Sequence, residues 1–244
     1  MNSIAVLYED KDVVVLNKPA GIIVHSVKRR GEGESTLVDW ILERYPEIKT
    51  VGDNPELRPG IVHRLDRDTS GALLIARNQA AFDYFKKLFQ NHEVVKRYLA
   101  LVVGIPHESQ GVIDKPIKLV SGSMKRTVWG KGHTMEKEAK TAYEVIQKFS
   151  LDSEPLALLR VSPLTGRTHQ IRVHLNSINH PIVGDELYGG SRPREIGKLL
   201  GIHRQFLHAE SLALTLLSGS RIEVGADLPS DLQSALHQLS PDEA

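Results

Sequence analysis

Residues 61–78 read IVHRLDRDTSGALLIARN. Their first part crowds His63, Arg64, Asp66, Arg67, Asp68 and Thr69 into one short segment between apolar stretches. The second, ALLIARN, reads as a buried strand. Polar groups that close to a core need partners or form a site. Downstream, residues 79–92 place Phe82, Phe85, Leu88 and Phe89 on one helical face, which reads as packing against a sheet. RYLALVVG (97–104) reads as a strand ended by Gly104 and Pro106. Upstream, 3–8 and 12–17 read as two strands joined by a tight turn. A helix is expected over 36–45, with Ser35 or Thr36 as its cap and Leu37, Trp40 and Ile41 at i, i+3, i+4. Residues 26–34 and 46–60 read as loops. The region 111–161 alternates strand-like runs with turns, as in an antiparallel meander. A helix follows at 168–178, strands at 206–217 and 221–224, and a final helix at 230–239 with Ser230 as a possible cap. Residues 241–244 read as a frayed, disordered tail. Strands dominate and connections are short, so the reading is α+β with a mainly antiparallel sheet rather than a regular βαβ fold.

The composition narrows the function classes. The chain has 244 residues, 41% hydrophobic and 25% charged, which excludes collagen-like and wholly disordered readings. Lys and Arg number 31 against 30 acidic residues, a formal charge of +1. That balance argues against a polycation that coats nucleic acid, but leaves room for a local basic groove. The chain contains no cysteine, which excludes disulfides, thiolate catalysis and thiolate metal sites. No run approaches the roughly 20 apolar residues of a membrane helix. The acidic N-terminal stretch with Glu9, Asp10 and Asp12 does not read as a signal peptide. A cytoplasmic protein, or one of an equivalent reducing compartment, is expected.

Several residues could carry chemistry. Asp66 lies between Arg64 and Arg67, and a carboxylate near guanidinium groups stays ionised and oriented, as a nucleophile or electrostatic anchor must. Asp68, Thr69 and Ser70 read better as a turn capping a strand end. Asp66-Arg67-Asp68-Thr69 also fits the DxDxT pattern of Mg²⁺-dependent aspartate phosphohydrolases, with Asp185-Glu186 as a candidate second acidic pair. His63 and Arg64, however, interrupt the apolar strand which that pattern wants. Arg167, at the start of a helix, does not suit the helix dipole and calls for a carboxylate or phosphate partner. Arg172, one turn on, reads as facing solvent or nucleic acid. His169 and His174 are five apart, a poor metal pair, and read as structural groups or RNA contacts. Tyr98 is either half-buried core or a ring for stacking on a base. HPIVGDELYGG (180–190) reads as a turn. Basic clusters at 28–30, 125–131 and 192–204 lie in loop-like segments and make a partial footprint for RNA.

VVVLNKPAGIIVH (13–25), HRLDRDTSG (63–71), KRYLALVVG (96–104), TGRTHQIRVHL (165–175) and HPIVGDELYG (180–189) occur in that order. This set resembles the RluA-type family of pseudouridine synthases over most of the chain. The resemblance implies a mixed, mainly antiparallel sheet in two halves around a central basic cleft, with residues 1–240 as the catalytic domain. It implies isomerisation of uridine in RNA to pseudouridine, with no metal, nucleotide or organic cofactor. By position, Asp66 matches the nucleophilic aspartate, Arg167 its arginine partner, and Tyr98 the tyrosine that packs on the target uracil. Arg64 matches the residue that fills the space left by the flipped base. His63, Arg67 and Arg172 are further expected RNA contacts, and Lys18 and Pro19 match a supporting NKP motif. Many family members carry an S4-type domain before the catalytic one. Here NKP begins at Asn17, so a stand-alone catalytic domain is expected, a monomer with no obligatory protein partner and no membrane association. Its substrate would be a tRNA or rRNA stem-loop. The rival readings are an RNA binder without turnover and the phosphohydrolase.

Overall fold

Two strands with almost no polar residues sit side by side because neither has a face to give to solvent. They belong to a computed structural model that describes residues 4–25, 35–120, 123, 125–129 and 136–242. In chain order the elements are β1 (Ala5–Glu9), β2 (Val13–Lys18), α1 (Leu37–Arg44), β3 (Ser70–Ala76), α2 (Gln79–Gln90) and β4 (Val95–Val103). The strands β5 (Gln110–Asp114), β6 (Lys118–Leu119), β7 (Arg126–Thr127), β8 (Lys140–Leu151) and β9 (Glu154–Pro163) follow. Then come α3 (Gln170–Ser177), α4 (Arg192–Leu199), β10 (Leu207–Thr215), β11 (Arg221–Gly225), α5 (Ser230–His237) and β12 (Ser240–Pro241). The protein is α+β. It divides into two units, Met1–Lys96 with Ala209–Asp227, and Arg97–His208 with Leu228–Ala244.

In the first unit the strand order is β1-β2-β3-β10, with β11 on β10. The antiparallel β2–β3 ladder runs from Val13 opposite Ala76 to Lys18 opposite Gly71. Every residue of β3 is buried, as are Val13 to Leu16 of β2. Such central strands read as continuous apolar runs rather than alternating ones. Gly71 has φ +116°, and a Cβ there would meet the Ala209 backbone. Helix α1 starts with Thr36, whose Oγ1 accepts from the Asp39 N–H while the Asp39 carboxylate accepts from the Thr36 N–H. Helix α2 buries Ala81, Phe82, Phe85 and Leu88. The Asn78 Oδ1 caps it, accepting from the Ala81 N–H at 2.9 Å. Asn78→Ala should therefore cost about 1 kcal/mol, read as a lower urea midpoint; an unchanged midpoint would remove the cap from the account.

In the second unit β4, β9, β8 and β12 are successive neighbours, and β5 also pairs with β8. The β4–β9 ladder is antiparallel and sets Tyr98 opposite Val161. In the β8–β9 hairpin Thr141 lies opposite Pro163, with an irregularity between Val145 and Gln147.

Three local expectations change. Residues 192–199, read as part of a basic loop, form α4, which buries Pro193, Ile196 and Gly197. Proline at the first turn starts a helix without losing a bond, and Gly197 lets the helix lie against the Gly184 backbone. The last helix is preceded by Pro229 at the cap position, so Ser230 is already helical and does not cap it. The tail is not frayed where it is described: Pro241 pairs with Phe149, and the Asp242 N–H donates to Lys148 O. Residues 243–244 lie outside the described residues, as does the whole of the basic loop at 26–34. Among the described residues no helix is long and apolar enough to cross a membrane.

Candidate active site

The HRLDRDTSG segment of the first unit is held by its own backbone. Lys18, at the end of β2, is fully buried. Its ammonium donates to three carbonyl oxygens, of Pro19 (2.7 Å), Arg67 (2.9 Å) and Thr69 (3.0 Å). Three donors matched by three acceptors are what a buried ammonium needs. The Gly21 N–H donates to Arg67 O and the Thr69 N–H to Asp66 O. The chain on the C-terminal side of Asp66 is thus tied to β2 and to the segment that follows it. Leu65 is buried, Asp66 half-buried, and Arg64 and Arg67 exposed. One apolar anchor therefore turns the flanking guanidinium groups outward.

His63 plays a different part from the RNA contact expected of it. Its Nε2 accepts from the Leu74 N–H at 2.9 Å. The ring stacks on Phe89, with centroids 4.4 Å apart and planes 19° from parallel. Burial, and then the charge of Lys96, push its pKa down to about 3. Burial also lowers Lys96, to about 8. His63 is a neutral acceptor wedged between β3 and α2, so at neutral pH it offers RNA no charge. It has a further consequence. The folded pKa lies below the ordinary 6.5, so the unfolded chain binds the proton first as pH falls. This contribution to stability is complete above about pH 6.5 and declines towards pH 3, by about 1 kcal/mol per pH unit. Urea midpoints between pH 7 and 5 should fall more steeply for the wild type than for His63→Gln; parallel profiles would contradict the assignment.

The second unit holds Tyr98, Arg167 and Arg172. Tyr98 is 8% exposed. Arg167 is exposed, in the turn before α3. Buried Gln170 fixes that turn: its Oε1 accepts from the Arg167 N–H (2.9 Å) and from Thr165 Oγ1 (2.7 Å). Its Nε2 donates to Lys140 O at 2.9 Å. The Arg167 Nε donates to Glu138 O at 3.0 Å. His169 takes the left-handed conformation, φ 57°, so α3 begins later than the expected residue 168. Gln170 carries no ionisable group, and only its partners reveal its role.

Arg172 also departs from expectation. It is 5% exposed and forms a two-pronged pair with Asp185, Nε to Oδ2 at 2.7 Å and Nη2 to Oδ1 at 2.8 Å. Asp185 is fully buried, and its Oδ1 also accepts from the Leu187 and Tyr188 N–H groups. The guanidinium lies 5.2 Å from the centroid of the Tyr188 ring. Arg172 therefore organises the GDELYG turn from inside and is not an RNA contact. The same pair corrects the phosphohydrolase reading, because Asp185 is committed to an arginine. His169 Nδ1 lies 2.9 Å from the Tyr188 hydroxyl. Buried His174 bridges Thr141 Oγ1 and Lys115 O, each at 2.8 Å. Both histidines are structural.

Asp66, Arg64 and Arg67 thus belong to the first unit, and Tyr98 and Arg167 to the second. The profile of the RNA pseudouridylate synthase family matches residues 12–177. The chain is 39% identical to a ribosomal large subunit pseudouridine synthase D of Yersinia pestis, over 97% of this chain and 71% of that protein. It is 45% identical to an uncharacterized RNA pseudouridine synthase of Chloroflexus aurantiacus, over 91% of this chain and 65% of that one. The structure of human RNA pseudouridylate synthase domain containing 1 superposes with a TM-score of 0.77 at 29% identity, covering 98% of this chain and 89% of that one. With the family profile spanning more than half the sequence, the chain belongs to the RluA-type RNA pseudouridine synthases, enzymes that isomerise uridine within RNA.

Proposed function

We propose that this enzyme modifies specific uridines of structured ribosomal RNA by a route in which Asp66 is the nucleophile. The observation that carries the assignment is the Lys18 staple, which immobilises the backbone on the far side of Asp66 through the Arg67 and Thr69 carbonyls. A nucleophile gains from being held before its substrate arrives. The name of the Yersinia relative supports large-subunit RNA over tRNA as the substrate.

In this reading the target base leaves the stack and Arg64 fills the gap, since the reacting atoms are out of reach inside a helix. The Asp66 carboxylate adds to C1′ of the ribose or to C6 of the uracil. The N1–C1′ bond breaks, the uracil turns, and C5 bonds to C1′; the bond from Asp66 to C1′ breaks as C5 displaces the carboxylate, or on the other route the bond from Asp66 to C6 breaks by elimination, so that the carboxylate is regenerated. The proton on C5 is lost with help from Tyr98, and N1 ends protonated, so the product is an isomer and no co-reactant is consumed. Arg167 is the cation that this route assigns to the carboxylate. Arg67 adds a phosphate contact. The protein acts as a monomer, without metal or organic cofactor.

The test is tritium release from RNA labelled at uridine C5. Large-subunit ribosomal RNA and bulk tRNA from cells lacking the enzyme should be compared. Release from ribosomal RNA alone is expected. Release from tRNA alone would reverse the substrate assignment, and release from neither, with folded protein, would reject turnover. EDTA should leave the rate unchanged once the RNA is folded; loss of activity on chelation would revive the metal-dependent alternative.

A further inference from the structure

The turn that presents Arg167 is backed by four buried polar side chains, Thr141, Thr165, Gln170 and His174. All belong to the second unit, and their hydrogen bonds can run in one direction only. A carbonyl oxygen only accepts, so His174 Nε2, 2.8 Å from Lys115 O, carries the ring proton. Burial is the main cause that holds the His174 pKa below its ordinary value. The neutral ring therefore leaves Nδ1 as an acceptor. Nδ1 lies 2.8 Å from Thr141 Oγ1, so the Thr141 hydroxyl donates to it. The same oxygen accepts from Gln170 Nε2 at 3.0 Å. That turns Gln170 Oε1 towards the Arg167 N–H and the Thr165 hydroxyl. The other end of the chain demands the same orientation. The Arg167 N–H can only donate, and Lys140 O, which faces Nε2, can only accept. A reversed amide would set donor against donor at Arg167 and acceptor against acceptor at Lys140. The turn also stores strain. His169, between Arg167 and Gln170, has φ 57°, and such a residue persists only where its surroundings over-determine it.

We propose that Thr141 and His174 are positioning residues for Arg167, acting through the Gln170 amide to hold the turn in the one conformation that presents the guanidinium to the reaction. The proposal rests on the reading of Arg167 above as the cation of the Asp66 route. Thr141 and His174 are both fully buried, so neither is open to RNA. Thr141 lies 29 residues from Gln170 and 33 from His174, so no local pattern links them.

The experiment has two arms. Thr141→Val keeps the shape of the side chain and removes its hydroxyl, whereas Thr141→Ser keeps the hydroxyl. In the first arm, amide hydrogen exchange is followed by NMR on the free protein. The Arg167 N–H should exchange about tenfold faster in Thr141→Val, while the β8–β9 ladder amides keep their rates. Thr141→Ser should match the wild type. Unchanged exchange at Arg167 overturns the network. The second arm is single-turnover tritium release from large-subunit ribosomal RNA. Thr141→Val should be about tenfold slower at unchanged RNA affinity, the mark of a misplaced group rather than a lost contact. Thr141→Ser should restore the rate. Arg167→Ala should be about 10²-fold slower. Adding Thr141→Val to it should cost less than about twofold more, since no guanidinium is left to aim. A full tenfold loss in that background, or no loss from Thr141→Val alone, overturns the positioning role while leaving Arg167 in the chemistry. Release by Arg167→Ala at the wild-type rate overturns the reading of Arg167 itself, and the proposal with it.

Discussion

Asp66→Asn should abolish tritium release while leaving RNA binding within a few-fold of the wild type. The amide has the shape of the carboxylate but neither its charge nor its nucleophilicity, and loss of a nucleophile costs about 10³-fold or more. The fold should survive. The Thr69 N–H to Asp66 O bond and the Lys18 bonds to Arg67 O and Thr69 O use backbone atoms that the substitution leaves in place. Single-turnover release with saturating enzyme separates chemistry from binding, and filter binding at the same salt supplies the second readout. Release within tenfold of the wild type would remove Asp66 from the chemistry. Loss of binding and turnover together would make it a structural residue of the turn. The non-catalytic binder predicts no release from either protein.

Arg172→Leu should be the most destabilising of the single substitutions considered. It leaves the Asp185 carboxylate fully buried, with the Leu187 and Tyr188 N–H groups but without its cation. Breaking a buried pair from one side costs about 3–5 kcal/mol. Arg172→Lys should rescue little, since an ammonium cannot reproduce the two parallel bonds at 2.7 and 2.8 Å. The paired change Arg172→Leu with Asp185→Leu should recover part of the loss, because no uncompensated charge then remains in the interior. Urea unfolding of the wild type, Arg172→Leu, Asp185→Leu and the paired variant completes the cycle. A loss under about 1 kcal/mol for Arg172→Leu would mean that the pair is solvated and that Arg172 is open to RNA after all. The loss should also precede any effect on RNA contacts: activity per folded molecule at low temperature should stay near that of the wild type.

Elements with a strong local pattern were legible. The apolar runs of β2 and β3 and the phenylalanine stripe of α2 read correctly because a strand or helix face imposes its period on neighbouring residues. Helix α4 did not, since its buried positions are Pro193, Ile196 and Gly197. Proline and glycine are turn signals in sequence, and only the close approach to Gly184 explains the glycine. Arg172, His63 and Asp185 were misplaced for a related reason. A charged or polar residue is read as exposed or functional until its partner is known. Those partners lie 13 residues away for Arg172 and Asp185, and 11 for the His63 bond to Leu74.

The sequence by itself determined the family, the α+β class and the ordered set of motifs, which are properties of short contiguous segments. It also determined which residue types are present for chemistry. Tertiary structure alone decided which of those groups are spent on the fold. Lys18 reaches across 49 and 51 residues to the carbonyls behind Asp66, and Arg172 turns inward to a buried carboxylate. A side chain's charge is written in its own residue, whereas its desolvation and its partner are set by whatever the rest of the chain packs around it.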